Sequence, residues 1–487
     1  MLSADVVVIG GGPAGAAAAR LLAQWDRSVI LIGRAASKRS IAESLPPSCT
    51  KLLDVLGVRS VIDAAGFVRA LGNTVQWGRD DRRSEPFVGG TGYQVDRARF
   101  DELLGDAAQA AGALVVRGAT VRAAKPRDGG WVVSYDADDG PATCHSRWVL
   151  DCSGRAGVVA RGGYRRPEQA ARTTAVVGVW ANDAWTSDAY ATHTLVESYD
   201  DGWSWSVPVS LCRRYVTVML DPRQTDVPTR GALDRAYRDE LSRTKLIGEL
   251  VRDAQLVESA WGSDASPYRS HRVSDEGLLL VGDAASFVDP LSSFGVKKAL
   301  ASAWLAAVVV NTALADESLA GAARDLFEER EHAMYAQLQS QAAGLARDAS
   351  GAHDSAFWHA RTEEIAADFE LDAAVMRGDR RVRDAFDELK RRPAMHLRAG
   401  DSLRVVERAV VRGNRVILEQ HLASAAIPRG VRYCRNVDLL AIARLAPHHE
   451  QVPDLYDAYS RAASAVPLPD FLGALSALVG LEMLTFA

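Results

Sequence analysis

Cysteine is scarce in this chain and never paired in pattern. Cys49, Cys144, Cys152, Cys212 and Cys434 are odd in number, scattered, and never in C-x-x-C spacing. That excludes a zinc or disulfide framework, so no metal site is expected, and it suits a reducing cytosol. An excess of one charge is missing too. The 57 Lys and Arg stand against 62 Asp and Glu, a formal net charge of -5. With no basic surplus to neutralise phosphates, nucleic acid is not an expected partner. Long hydrophobic runs are also lacking. Residues 299–310 are apolar but too short to span a bilayer. Residues 468–487 carry Asp470, Gly473, Gly480 and Glu482, which suits a buried amphipathic helix better than an anchor. The opening MLSADVVVIGGG enters a strand directly, without the basic, apolar and cleavage regions of a signal peptide. A cytoplasmic location with no membrane partner is the expectation.

What is present is an ordinary globular composition, 48% hydrophobic and 24% charged over 487 residues, a length that suits two or three domains. The run DVVVI at 5–9 is apolar and β-branched, as in a buried parallel strand. Gly10 to Gly15 is a glycine turn, 16–25 an Ala/Leu-rich helix, and 28–32 a second apolar run, together a βαβ unit. Residues 112–135 alternate as a small antiparallel sheet would. Residues 148–150 read as a core strand, and 175–180, 193–198, 203–209 and 214–220 as a sheet-rich layer. The run GLLLVGD at 277–283 returns to the buried-strand pattern, and a helix follows over 296–312. Beyond Leu319 the pattern is nearly all helical, with a boundary expected near Gly351.

The glycine turn is Gly10-Gly11-Gly12-Pro13-Ala14-Gly15, a G-x-G-x-x-G between a strand and a helix. Gly10 permits the tight turn, Gly12 lets the backbone approach a pyrophosphate, and Gly15 lets helix and strand pack closely. The free N–H groups and dipole at the helix start favour phosphate. The acidic residue expected at the end of the second strand is absent, and Gly33-Arg34 stands there instead. Arg34 would argue for a 2′-phosphate, but a second segment points elsewhere. In 280–296 a buried strand delivers Asp283 to a turn, where its carboxylate can accept hydrogen bonds from a sugar-alcohol chain. Pro290 and Gly295 then shape an unobstructed loop, and the next helix aims its N-terminus at the loop, favouring negative charge there.

These pieces resemble the flavoprotein monooxygenases of the para-hydroxybenzoate hydroxylase type, and within them the branch of flavin-dependent (tryptophan) halogenases. The matching segments are GGGPAG at 10–15, ESLPPS at 43–48, VDRARFD at 95–101, DCSGR at 151–155, GWSWSVP at 202–208 and GDAASFVDPLSSFGV at 282–296. The resemblance covers roughly the first 345 residues. It implies an α/β fold: a Rossmann-type FAD-binding domain with an interleaved, mainly antiparallel β-sheet substrate domain, plus a C-terminal helical domain. The implied core is 1–350, with Rossmann elements in 1–60, 95–160 and 270–320 and the sheet-rich part in 61–94 and 161–269. It implies FAD bound by Gly10, Gly12, Pro13, Ala14 and Gly15, with Arg34, Glu43, Ser44 and Val121 also cofactor-binding and Arg97 near the ADP part. Asp283 would hold the ribityl chain, and Pro290, Gly295 and Val296 would surround the flavin ring. Dioxygen is the implied co-substrate, reacting as a flavin C4a-hydroperoxide, with electrons from NAD(P)H or a partner flavin reductase.

Two chemistries share that intermediate, hydroxylation and halogenation. Trp203 and Trp205 resemble the halogenase W-x-W-x-I-P motif, although two tryptophans at period two also suit one face of a core strand. The lysine that halogenases place after the ESLPPS-like segment is missing. Residues 66–78 offer only Arg69, and a guanidinium does not replace an amine in that role. Lys51 is expected to point to solvent. Ser292 stands where tryptophan halogenases carry an acidic residue, and Phe294 where a small residue precedes the loop glycine. Pro290, Ser292, Ser293, Phe294, Trp203 and Trp205 are therefore the flavin-proximal candidates. No general base stands out, and His193 and His271 read as structural. The expectation is hydroxylation of an electron-rich aromatic, indole or phenol. One version is a Trp side chain borne on a peptide or protein during tryptophylquinone biogenesis. Halogenation and reduction of isoprenoid double bonds are the alternatives. Residues 351–487 are expected to form a helical, winged-helix-like domain, with short helices over 436–445, 452–463 and 469–484 and Asn436 as a cap.

Overall fold

The computed structural model describes residues 2–35, 39–79, 81–167, 171–187, 190–225, 232–292, 294–363 and 378–487. The chain divides into two compact units, Met1–Ala367 and Asp368–Ala487.

The first unit is built on the strand Leu2–Ile9, whose Val6, Val7, Val8 and Ile9 are almost fully buried. It pairs in parallel with Val29–Ile32 on one side and Gly140–Asp151 on the other. Leu114–Val116 and Leu278–Leu280 extend the parallel core at its two ends. Burial on both faces explains why these strands read as unbroken apolar runs. One face is covered by the helix Pro13–Gln24, packed against Gly295–Ala315 and Arg97–Ala110. Gly295–Ala315 is long and apolar enough to cross a membrane by length and composition, but 78% of its apolar window is buried inside the protein, as in a core helix.

A second, seven-stranded sheet runs in the order Gln255–Asp264, Thr174–Ala181, Arg213–Leu220, Gly202–Ser210, His193–Tyr199, Gly72–Gln76, Arg83–Pro86. It is antiparallel except where Gly72–Gln76 joins His193–Tyr199. A small three-stranded sheet of Ala42–Leu45, Gly92–Asp96 and Val68–Ala70 completes the setting of the site. The fold is thus a Rossmann-type α/β domain with an interleaved, mainly antiparallel sheet.

Four expectations need correction. Leu114–Val116 is a parallel strand of the main sheet, and the antiparallel hairpin is Thr120–Arg127 with Gly130–Ala137. Three residues are too few to show whether a run pairs with its neighbour in sequence or with a distant strand. The units part between Ala367 and Asp368 rather than near Gly351. The helix Ala356–His359 belongs to the first unit because its Phe357 and Trp358 pack against Trp77 and Trp203. The second unit is not all helical. It contains the hairpin Arg404–Arg412 with Arg415–Ala423, alongside helices Arg380–Arg391, Leu439–Leu445, Val452–Ala462 and Leu468–Gly480. The cap of Leu439–Leu445 is Asp438, which accepts from Ala441 N at 3.0 Å, not Asn436.

Trp358 is fully buried and donates its indole N–H to Tyr199 O at 2.9 Å. Replacing it by alanine opens a cavity and removes that hydrogen bond. Trp358→Ala is expected to cost about 3–5 kcal/mol in denaturant unfolding. A loss below about 1 kcal/mol would show that the Trp77–Trp203–Trp358 block is not an element of the core.

Candidate active site

The glycine turn follows directly from local sterics. Gly10 has φ +111°, and a Cβ there would collide with Cys152 O. A Cβ on Gly15 would collide with Gly10 O. Those two glycines are required by the protein's own packing. Gly12 is not. It has φ -77° and ψ -173°, extended backbone open to any residue. A Cβ on it would meet nothing nearer than Arg97 Nη2 and Asp101 Oδ2, each 3.9 Å away. Gly12 also caps the helix Pro13–Gln24 without a side-chain hydrogen bond, and no acidic residue stands in the first turn. The result is a bare helix N-terminus with unclaimed amides beside a space that only an absent side chain keeps free, which fits a diphosphate.

Around this cradle the fold gathers charge. Arg97 donates through Nη1 to Glu43 Oε1 at 2.7 Å and through Nη2 to Asp101 Oδ2 at 3.0 Å. Burial pushes the Glu43 and Asp101 carboxyls up against the pull of Arg97. Burial would lower Arg97, but its two carboxylate neighbours outweigh that and raise it. Glu43 is placed by the strand Ala42–Leu45, paired with Gly92–Asp96, and Arg97 opens the next helix. Ser44, on the same strand, is half-buried.

The second segment meets the first in space. Gly282 has φ +62°, and its Cβ position lies 3.4 Å from the Ala14 methyl. The Cβ position of Gly295 lies 3.9 Å from Glu43 Oε2. Asp283 is partly exposed on the open side of its turn, while the buried Lys298 ammonium holds its Oδ1 at 3.3 Å from behind. Val296 is buried, and Pro290 is half-buried in the short turn Pro290–Ser292. Phe294 is half-buried, with Lys297 Nζ 4.8 Å over its ring. Ser293 lies outside the described residues, as does the side chain of Ser292.

Other predicted residues lie at the rim. Arg34 is exposed, beyond Gly33, whose Cα stands 3.4 Å from the Cβ position of Gly11. Val121 is half-buried, just past Ala119, whose N–H donates to Gly33 O at 3.0 Å. Trp203 and Trp205 share one strand face and stack at 4.7 Å. Trp203 is buried and its Nε1 has no hydrogen-bond partner; Trp205 is half-buried. Both join a cluster that reaches Phe287 and Leu291 of the loop.

Sequence reasoning missed several contributors. Trp77 meets Trp203 at 6.5 Å and Trp358 at 5.4 Å, so three distant segments build one aromatic wall. Arg361 is buried with its Nε 3.8 Å from Asp289 Oδ2, and its Nη2 donates to Arg172 O and Thr173 Oγ1, tying the loop to the second sheet. Asp151 anchors its loop by accepting from the amides of Ser153, Val159 and Ala160. Only Asp151 had a sequence signal, its place in DCSGR. The other contacts join residues far apart in the chain, with no local pattern to mark them.

The donor set therefore fits FAD: a bare helix start for the diphosphate, a carboxylate on an open turn, and a loop approaching both. The chain belongs to the FAD binding domain family, which matches residues 3–326. It is an FAD-dependent oxidoreductase. It is 29% identical over 341 residues to the tryptophan 2-halogenase of Chondromyces crocatus, covering 67% of this chain and 64% of that relative. Among solved structures it shares its fold with CmlS, a flavin-dependent halogenase, at a TM-score of 0.79 and 22% identity over 99% of this chain and 96% of that one. It also shares it with the peptidyl tryptophan dihydroxylase QhpG, essential for tryptophylquinone cofactor biogenesis. There the TM-score is 0.70, with 24% identity over 95% and 96% of the two chains.

Gly12 separates folding from cofactor binding. Gly12→Ala is expected to leave the melting temperature of the apoprotein within a few degrees of wild type, since its backbone suits alanine. FAD affinity, read by flavin fluorescence, should fall at least about tenfold, because a methyl group would stand where the diphosphate approaches. Unchanged affinity would refute the cradle.

Proposed function

We propose that this enzyme is a monooxygenase that hydroxylates an electron-rich aromatic ring, an indole or phenol, carried on a peptide or protein as in tryptophylquinone maturation. The observation that carries the reading is the fate of residues 66–78. Arg69 points outward to Asp63 at 2.8 Å and lies 4.2 Å over the Tyr93 ring, while its neighbour Ala70 is fully buried. No amine stands in this segment to relay an oxidised halogen. Lys51 is exposed on its helix, and Lys298 is engaged beneath the Asp283 turn. The fold is shared both with a peptidyl tryptophan dihydroxylase and with the halogenase CmlS, so the choice between the two rests on the residues.

Reduced flavin, when bound, supplies the activation of dioxygen. The protein's own part is placement and exclusion of water. Asp283 and the glycine turn orient the cofactor. The stacked Trp203 and Trp205, with Phe287 and Leu291, offer an apolar wall against which a flat ring can lie. Neither His193 nor His271 is placed to serve as base. His193 Nδ1 lies 3.0 Å from Thr74 Oγ1, and His271 is exposed with Nδ1 2.7 Å from Tyr164 O. Electrons come from NAD(P)H or a partner reductase, in the cytoplasm. The second reading is a halogenase, favoured by the Trp203–Trp205 pair and by the tryptophan 2-halogenase relative.

Incubation with FAD, a flavin reductase, NADH and oxygen discriminates the two. Free indole, phenol and a tryptophan-containing peptide are offered with and without chloride or bromide. The expected product gains oxygen atoms at the ring and is indifferent to halide. A halide-dependent mass, with chlorine or bromine isotopes, would replace hydroxylation by halogenation. Reoxidation without any modified product would remove both.

A further inference from the structure

We propose that Glu331 is a positioning residue of the flavin site: acting through Lys298, it sets how firmly the Asp283 turn is held and makes FAD affinity depend on pH. Lys298 is 3% exposed, on the first turns of Gly295–Ala315. Its ammonium has three N–H donors, and all three are used. They reach Gly282 O at 3.1 Å, Asp283 Oδ1 at 3.3 Å and Ser286 O. All three acceptors belong to the one turn, which is thereby pinned from its buried side.

Glu331 approaches the same point from the helix Ala320–Ser350 and is 4% exposed. It interacts with the Lys298 charge and hydrogen-bonds Ser302. Ser302 Oγ in turn accepts from Gly282 N at 2.9 Å. Glu331 is therefore linked to the Asp283 turn twice, once by charge and once by a hydroxyl. Its Oε2 has no hydrogen-bond partner. A buried carboxylate with one bare oxygen is costly when ionised and much less so when protonated. Burial pushes the Glu331 carboxyl up to about 7, against the opposing pull of Lys298 and Ser302.

Lys298 is the charged group that faces Glu331. On the same helix Glu328 turns away to Ser274 Oγ at 2.7 Å. On the neighbouring strand Asp275 is taken up by Tyr164 and Arg272. In the flavin loop Asp289 faces Arg361.

The direction follows from charge. With Glu331 protonated, Lys298 is shared with Asp283 alone. With Glu331 ionised, a second carboxylate draws on the Lys298 charge while the three N–H groups stay on the turn, and a further negative charge stands behind an anionic ligand. FAD therefore binds the protonated form more tightly, and affinity falls as pH rises through the Glu331 transition.

The test is a titration of the full-length apoprotein with FAD, followed by flavin fluorescence, between about pH 5.5 and 8.5. Wild type is expected to bind about tenfold more weakly at the alkaline end, the effect of a coupling near one pKa unit. Glu331→Gln should bind with a flat profile at the acid-side affinity. Ser302→Ala removes a hydrogen bond that favours the ionised form, so its midpoint should move to higher pH. A flat wild-type profile, or a Glu331→Gln variant that keeps the wild-type slope, overturns the proposal. Should Glu331→Gln not fold, an unmoved midpoint in Ser302→Ala overturns it equally.

Discussion

The site depends on a helix that begins with nothing to cap it. Pro13–Gln24 opens on Gly12, with no side chain accepting its first amides and no acidic residue in its first turn. A buried helix end of that kind is costly unless something anionic completes it. Every nearby feature keeps the position free for a ligand. Gly10 and Gly15 bring the strand and helix close enough to expose the turn, and Gly12 leaves its mouth clear. The carboxylates of Glu43 and Asp101 are occupied by Arg97, so they do not fold back on the amides.

The second feature is how little of the site is contiguous. The loop after Asp283 is braced by Lys298 from one helix, by Arg361 from beyond the matched family region, and by an aromatic block drawn from residues 77, 203 and 358. Each bracing residue is deeply buried. A buried charge is tolerated only where its partners are supplied by the fold, which ties the shape of this loop to the packing of segments far along the chain. The aromatic wall therefore serves two purposes at once. Trp203 is core and Trp205 reaches the half-buried surface, so the motif is both structural and positioned to meet a ring.

The second unit shows where periodicity misleads. Arg404–Arg412 and Arg415–Ala423 form a two-stranded hairpin with charged residues along both strands. Neither strand is buried on one full face, so neither shows the clean apolar alternation that marks a strand in sequence. The helices Val452–Ala462 and Leu468–Gly480, with apolar faces on a common core, were legible to within a few residues.

What the sequence determined alone is whatever rests on local sterics and short periods. The G-x-G-x-x-G turn, the buried strand 5–9 and the one at Leu278–Leu280, four of the seven strands of the second sheet and the long helix after Gly295 all follow from residues within about one turn or one pleat of each other. The choice of FAD came from the order of such segments. Tertiary structure decided the rest. It showed that Ala14 meets Gly282 and that Glu43 meets Gly295. It showed that Arg69 turns away and that Lys298, Glu331 and Arg361 hold the loop from behind. Apart from the Arg69–Asp63 pair, these contacts join residues tens to hundreds of positions apart. They are set by packing, and a one-dimensional pattern carries no record of which buried charge will find which partner.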